Sequence, residues 1–155
     1  MTRRGRSAPV PPDPDRPENL ALLDYLRAHA ARPVEPYDME LDGWQLHTHP
    51  DLEERFIALA SGHAVGSAYG VPVLSAGGVA AAVAYGTSII LVRVPALPGN
   101  VEPGEALVPL TDGEWFSVSA WQSGIPQADG TACLSALVRE AARHALGLSR
   151  NPPGR

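Results

Sequence analysis

The sequence contains no lysine, because all twelve of its basic residues are arginine. This absence excludes Schiff-base catalysis, a lysine general base and the phosphate-binding lysine of a P-loop. Cysteine is almost as scarce. Cys133 has no second cysteine with which to form an intrachain disulfide, and this fits a reducing compartment.

Long apolar stretches are also missing. The longest covers residues 79–94, but residues 85–88 interrupt it, and it falls short of the ~20 residues that a membrane-spanning helix needs. Prolines break up the N-terminus, which therefore lacks the apolar segment of a signal peptide. We expect a cytoplasmic protein that makes no membrane contact.

The remaining composition suits one globular domain. The chain has 155 residues, of which 45% are hydrophobic and 19% are charged. Residues 1–16, rich in proline and arginine, predict a disordered arm, and residues 149–155 predict a disordered tail, so the domain covers residues 17–148. The net charge of −5 makes the folded part repel phosphate backbones, so nucleic acid is not its expected partner. One alternative is weak, salt-sensitive contact between nucleic acid and the arginines of the arm.

The first predicted helix covers residues 17–32. Asp15 and Glu18 have the spacing of a capping box, and Pro33 ends the run. Its apolar positions are Leu20, Leu23, Leu26 and Ala30. The pattern leaves open whether this helix packs on the domain.

Two more helices are predicted. The second covers residues 49–61, with the hydroxyl of Thr48 ahead of an acidic first turn and Gly62 at its end. Its buried face is Leu52, Phe56 and Leu59. The third starts near Thr131 and ends at Gly147. Its buried face is Leu134, Leu137, Val138, Ala141 and Ala145.

The region between the second and third helices is predicted to be β-structure. Alternating and β-branched patterns indicate strands over residues 69–75, 79–84, 89–94, 106–110 and 115–121, with a brief strand at 44–47 after a linker over 33–43. Residues 76–78 are predicted to form a hairpin turn. Pro72 lies within the predicted strand over 69–75, and a proline there favours an edge strand or a bulge. The predicted fold class is α+β, a small antiparallel sheet of about five strands flanked by N-terminal and C-terminal helices.

One tetrapeptide and the strand pair after it resemble a known family. Ala68-Tyr69-Gly70-Val71 stands where the N-terminal domain of the TfoX family carries Met-Phe-Gly-Gly, and residues 79–95 resemble that family's paired strands. The methionine is replaced, the double glycine is single, and Pro72 departs from the pattern. Over residues 52–148 the resemblance implies a helix before a hairpin, a small antiparallel sheet, a closing helix and an association with regulation. It implies no catalytic residues, since that family has none established.

His47 and His49 form the sharpest chemical motif. Two histidines two residues apart on an extended segment point the same way, which suits two ligands of one divalent metal. Metalloproteases of the JAMM type use such a His-x-His-Pro, but their downstream serine and aspartate positions hold Ile57 and Ala60 here. The candidate third ligands are His63, Asp51, Glu40 and Asp42. The alternative is that both histidines are exposed residues, one at a strand end and one at a helix start.

A second candidate site lies on the last strand. Trp115, Ser117, Ser119 and Trp121 share one face, which is either an interaction face or a surface covered by the first helix or by a partner. Cys133 lies near the start of the third helix, where a helix dipole lowers thiol pKa values, but a small buried hydrophobe is the alternative role.

From these features we expect a non-enzymatic interaction or regulatory domain with no cofactor. Its partner would be another protein or a second copy, bound through the sheet or its edge strand. Two alternatives remain: a metal-dependent hydrolase that uses His47 and His49, and nucleic-acid contact through the arginine arm.

Overall fold

The chain folds around a five-stranded antiparallel sheet whose strands follow one another in sequence order. The computed structural model describes residues 12–30, 48–60, 62–86, 88–104, 115–122 and 126–150. The strands are β1 (Val65–Ala68), β2 (Val71–Ala76), β3 (Val79–Tyr85), β4 (Ile89–Arg93) and β5 (Trp115–Ser119). The helices are α1 (Leu20–Ala30), which follows a 3-10 turn over Pro17–Asn19, α2 (Pro50–Leu59) and α3 (Gln127–Ser149). The α+β fold class is confirmed.

The turn between β2 and β3 is the one that the sequence predicts. It consists of Gly77 and Gly78, whose φ angles of 61° and 84° lie in the left-handed region that glycine occupies without steric cost. Two such residues in a row produce the tight hairpin turn that matches the twist of the flanking strands.

The predicted β-structure between the second and third helices starts at residue 69, but the sheet begins earlier, at Val65. Tyr69 and Gly70, with φ angles of 52° and 79°, form the turn between β1 and β2, so the predicted strand over 69–75 is wrong at its start. The sequence analysis also does not predict β1. Val-Gly-Ser-Ala has a single β-branched residue and carries little strand signal of its own. Pairing with β2 holds it extended.

Pro72 lies in β2, an interior strand, and not at an edge. The sheet does have an irregularity in β2, but it lies between Leu74 and Ser75. In a two-residue hairpin the residues that flank the turn exchange both hydrogen bonds, so the next pair, Ser67 and Pro72, is not hydrogen-bonded. The ring nitrogen of Pro72 therefore points toward β3.

The register between β2 and β3 brings Ala84 opposite Pro72, since Val73 faces Val83. Proline has no N–H to donate to the carbonyl of Ala84. The hydroxyl of Thr48 donates to that carbonyl instead, at 2.7 Å, and Thr48 is 1% exposed. A residue ahead of α2 thus completes the hydrogen bonding of the sheet at its proline.

Helices α2 and α3 cover one face of the sheet, and their predicted buried faces are confirmed. Every residue of those two faces is at most 3% exposed. The boundaries of α3 differ from the prediction, because Pro126 precedes its first turn and the N–H of Gly130 donates to the carbonyl of Pro126 at 2.9 Å. The helix therefore starts one turn before Thr131, and it continues past Gly147 to Ser149.

Helix α1 covers the opposite face, which answers whether it packs on the domain. Leu22 and Leu26 are fully buried there, against a cluster that includes Val71, Val73, Val83, Leu91 and Trp115. The predicted apolar face is wrong at Leu20, which is 53% exposed, and it omits Leu22. Leu20 and Leu26 are six residues apart, which is about 240° around an α-helix, so one buried face cannot hold both. Leu22 and Leu26 lie at the i, i+4 spacing that does share a face.

The start of the domain also differs from the prediction. Residues 12–16 were expected in the disordered arm, but the N–H of Asp13 donates to the carbonyl of Gly78 at 2.9 Å. The predicted capping box is wrong too, because the 3-10 turn has Arg16 at its N-cap and no side-chain cap. The N–H of Asp15 instead donates to the Asp13 carboxylate at 2.9 Å.

Two buried polar residues hold this N-terminal segment. The side-chain amide of Asn19 donates to the carbonyls of Asp13 and Gly78, and its oxygen accepts from the N–H of Ala80 at 2.9 Å. Arg16, 7% exposed, donates to the carbonyl of Leu148 at 2.9 Å near the end of α3. The segment therefore ties the β2–β3 turn to the last helix.

Some expectations fall outside the described ranges. These are the arm over 1–11, the linker over 33–43, the strands over 44–47 and 106–110, and the tail over 151–155. Among the helices that are described, none combines the length and apolar character that crossing a membrane requires.

Candidate functional site

His49 caps α2. Its Nδ1 accepts a hydrogen bond from the N–H of Asp51 at 3.0 Å, so this histidine has the role that the sequence analysis gave to Thr48. One ring nitrogen of the proposed metal ligand is thus engaged by the helix. His47 lies outside the described residues.

Among the candidate third ligands, Asp51 has a carboxylate oxygen 4.0 Å from Nδ1 of His49. Nδ1 of His63 lies 2.9 Å from the carbonyl oxygen of Ala60, and Glu40 and Asp42 are outside the described ranges. No group of three or more metal-ligating side chains forms in the part of the chain that can be described. The metal site stays a prediction.

Trp115 and Ser117 lie on the sheet face under α1. Trp115 is 4% exposed, packs in the same cluster as Leu22, and has the guanidinium of Arg93 at 4.6 Å from its ring centroid. Arg93 also donates to the carbonyl of Ala80 at 2.8 Å. Ser117 is 7% exposed. These two members of the predicted interaction face are therefore covered by the chain itself.

Trp121 lies beyond the end of β5 and is 43% exposed. The hydroxyl of Ser119 donates to its carbonyl at 3.1 Å, and the guanidinium of Arg55 lies 4.9 Å from its ring centroid. Arg55 in turn donates from Nε to the carbonyl of Ala120 at 2.6 Å. The four residues of the predicted face are thus divided between a buried pair and a surface pair next to α2.

Cys133 lies in the second turn of α3 and is partly buried against the core that α2 and α3 share with the sheet. The side-chain amide of Asn100 lies 3.3 Å from its sulfur. This environment agrees with the structural alternative for the thiol.

An open groove of about 520 Å³ lies along α3. Its lining is His63, Ala76, Ala136, Arg139, Glu140, Ala142, Arg143 and Leu146. Arg143 and Glu140 pair with each other there. Arg139 is a second arginine in the lining, so the groove has two arginines to one carboxylate.

The outer edge of β1 has unpaired backbone groups. The pairs Ala68–Val71 and Gly66–Val73 direct their N–H and C=O groups into the hairpin, so the groups of Val65 and Ser67 point outward. No described segment pairs with this edge. It therefore presents two donors and two acceptors in line.

The sequence of β1 does not protect that edge, along which Gly66 is buried, Val65 is half-buried and Ser67 is exposed. The strand contains no charged residue, no proline and no bulge, which are the usual devices that prevent edge pairing. A depression of about 200 Å³ next to the strand is lined by Thr48, Glu53, Gly66, Ser67, Gly70 and Pro72.

The other edge of the sheet is closed. Alongside β5, the N–H of Gly104 donates to the carbonyl of Ser117 at 2.9 Å, and the N–H of Ser119 donates to the carbonyl of Glu102 at 3.2 Å. Gln122 fixes this segment from both sides, since its side chain bonds to the N–H and the carbonyl of Glu102. The backbone groups at the β1 edge are therefore open to another chain, whereas the β5 edge is already bonded to residues 102–104.

Sequence reasoning missed this edge because it missed β1. The available signal was the glycine at position 70, which together with Tyr69 separates two short segments by two residues, the length of a tight hairpin loop. No protein-family model matches the chain, and neither the curated proteins nor the solved structures contain a match to it. The resemblance to the TfoX family therefore stays a prediction.

Proposed function

We propose that this chain is a non-enzymatic interaction or regulatory domain that binds an extended segment of a protein through the outer edge of β1. The carrying observation is the row of outward backbone groups on Val65 and Ser67. A strand added to a sheet edge gains main-chain hydrogen bonds, and neighbouring pockets select its side chains. This role is also of the kind that the TfoX resemblance implies.

The surroundings of the edge support a binding role. The depression next to β1 is large enough for a side chain of an added strand, and the absence of charge in the strand allows an apolar or a polar ligand. His49, a candidate metal ligand, caps α2, and Cys133 lies against the core.

The test is a selection of random displayed peptides on the full-length protein. The edge-blocked comparison is Ser67→Pro, which removes one outward donor while leaving the bonds between β1 and β2 in place. Ser67→Ala is the matched control. We expect selected peptides to bind the wild type and Ser67→Ala equally and to lose at least tenfold in affinity for Ser67→Pro.

Hydrogen exchange gives a second measurement that does not depend on a variant. A selected peptide should slow exchange of the Val65 and Ser67 amides in the wild-type protein. Selection that yields no binder from a protein that stays monomeric, or binders that leave these two amides unchanged, contradicts the proposal.

A further inference from the structure

We propose that the occupant of this edge is a second copy of the chain, with β1 pairing antiparallel to itself around a two-fold axis at Gly66. The inference rests on the proposed function and names the partner. The two five-stranded sheets would join into one sheet of ten strands, with β1 and its counterpart at the centre.

The outward groups fix the register. Centring the pair on Gly66 brings Val65 opposite Ser67 of the second copy, and Ser67 opposite its Val65. Each of these two pairs exchanges both hydrogen bonds. All the outward donors and acceptors of the strand are then used, and four bonds form.

Neighbouring registers use fewer groups. An axis at Val65 would bring Ser67 opposite His63, but the N–H of His63 already donates to the carbonyl of Ala60 at 3.0 Å. An axis at Ser67 would require Val65 to pair with Tyr69, which lies in the turn with a φ of 52°. The Gly66 register is the one in which the backbone is fully complementary.

The residue at the axis suits close approach. In this register Gly66 faces its own counterpart as a non-hydrogen-bonded pair, where the Cα atoms come within about 4.5 Å. Glycine adds no side chain at that point. β1 itself contributes no charged side chain to the pair.

The exposed Tyr69 gains a neighbour in the same arrangement. It is 42% exposed at the hairpin tip, a position that a large aromatic residue rarely occupies with positive φ. Continuing the register carries Tyr69 of one copy toward His63 of the other. This accounts for an aromatic side chain at the end of an otherwise small-residue strand.

Sedimentation equilibrium over a range of concentrations tests the pairing in the full-length protein. We expect the average mass to rise from the 16.3 kDa of one chain toward twice that value. Ser67→Pro should remain at the mass of one chain at every concentration, and Ser67→Ala should associate as the wild type does.

Spin labels test the register independently. The labelled variant carries a nitroxide on Ser67→Cys in a Cys133→Ser background. In the proposed pair the two labelled residues lie diagonally across from each other, with their Cα atoms about 7–8 Å apart. Dipolar coupling between the two labels should therefore broaden the electron spin resonance spectrum strongly. The control is Ala132→Cys. It lies near the β5 side of the sheet, since its neighbour Thr131 contacts Arg55 beside Ala120, and its label should not broaden.

The outcomes separate this inference from the proposed function. A protein that stays monomeric at all concentrations overturns the self-pairing, and the peptide selection alone then decides whether the edge binds another protein. Association that persists in Ser67→Pro, or labels at Ser67→Cys that do not broaden in the associated state, also overturns it. If the protein associates but the selection yields no peptide, the result supports the self-pairing, because the second copy then occupies the edge.

Discussion

At the scale of single residues, polar contacts compensate for departures from regular structure. Pro72 removes a donor from the interior of a sheet, and Thr48 supplies a hydroxyl to the carbonyl left opposite it. A buried carbonyl without a partner costs far more than a typical hydrogen bond gains. The threonine that directly precedes the cap of α2 therefore completes the hydrogen bonding of the sheet at Pro72.

We predict that Thr48→Val lowers the free energy of unfolding by about 1–3 kcal/mol, since it leaves the Ala84 carbonyl buried and unpaired. Urea denaturation measures the change. Thr48→Ser keeps the hydroxyl and should lose much less. Adding Pro72→Ala to Thr48→Val restores an N–H opposite Ala84 and should recover part of the loss. A double variant no more stable than Thr48→Val would refute this explanation.

Tyr85 provides a prediction for pH. Burial raises the pKa of its hydroxyl above the ordinary 10.0, and its ring packs edge-on against Tyr25 with centroids 6.1 Å apart. As pH rises, the unfolded chain releases this proton before the folded chain does, so stability declines from about pH 10 through the folded-state pKa. Below that range the contribution is fully present.

We therefore expect Tyr85→Phe to reduce the loss of unfolding free energy between about pH 8 and about pH 11, measured by chemical denaturation. Tyr69→Phe is the control, because Tyr69 is 42% exposed and has no corresponding burial. Equal pH profiles for the wild type and Tyr85→Phe would contradict the prediction.

At the scale of elements, the sequence predicts helices whose apolar stripe is long and uninterrupted. The buried faces of α2 and α3 follow directly from helical spacing. The face of α1 was assigned wrongly, because every third residue from Leu20 to Leu26 drifts around the helix, whereas Leu22 and Leu26 lie on one face. Likewise β3 and β4 are β-branched or apolar throughout and were found, whereas β1 depends on pairing with β2 for its extended form.

The two leucines near the start of α1 distinguish the observed face from the predicted one. Leu22→Ala should lower the free energy of unfolding by about 2–3 kcal/mol, because Leu22 is fully buried against the sheet. Leu20→Ala should change it by less than about 0.5 kcal/mol, because Leu20 is 53% exposed. Thermal or urea unfolding measures both, and the reverse ranking would show that α1 packs in the predicted phase.

At the scale of the whole molecule, one segment near the N-terminus connects parts that are distant in sequence. Arg16 donates to carbonyls at the end of α3, where the helix dipole favours a positive charge, and Asn19 fixes the turn between β2 and β3. Contacts of this kind are not visible in the sequence, since they join residues more than fifty positions apart. The candidate site lies on a local hairpin instead, and it was missed because β1 carries little strand signal of its own.

Arg16→Ala should destabilise the protein by about 1–3 kcal/mol, since the carbonyls of Leu148 and Ser149 and the Glu18 carboxylate lose a charged donor. The control is Arg27→Ala. Arg27 forms an ion pair with Asp24 on the exposed side of α1, and such surface pairs contribute little. Calorimetry on both variants measures the difference. Similar melting temperatures for the two would show that the N-terminal segment does not hold α3.

The closed edge at β5 limits how far assembly through this sheet can proceed. A sheet that is open at both sides can add molecules without end, as fibrils do. Here the segment at Glu102–Gly104 occupies one side, so two molecules that meet at β1 leave a closed side at each outer margin. Growth by strand addition would then stop at a pair, and a fibre built from repeated edge contacts would require Glu102–Gly104 to detach first.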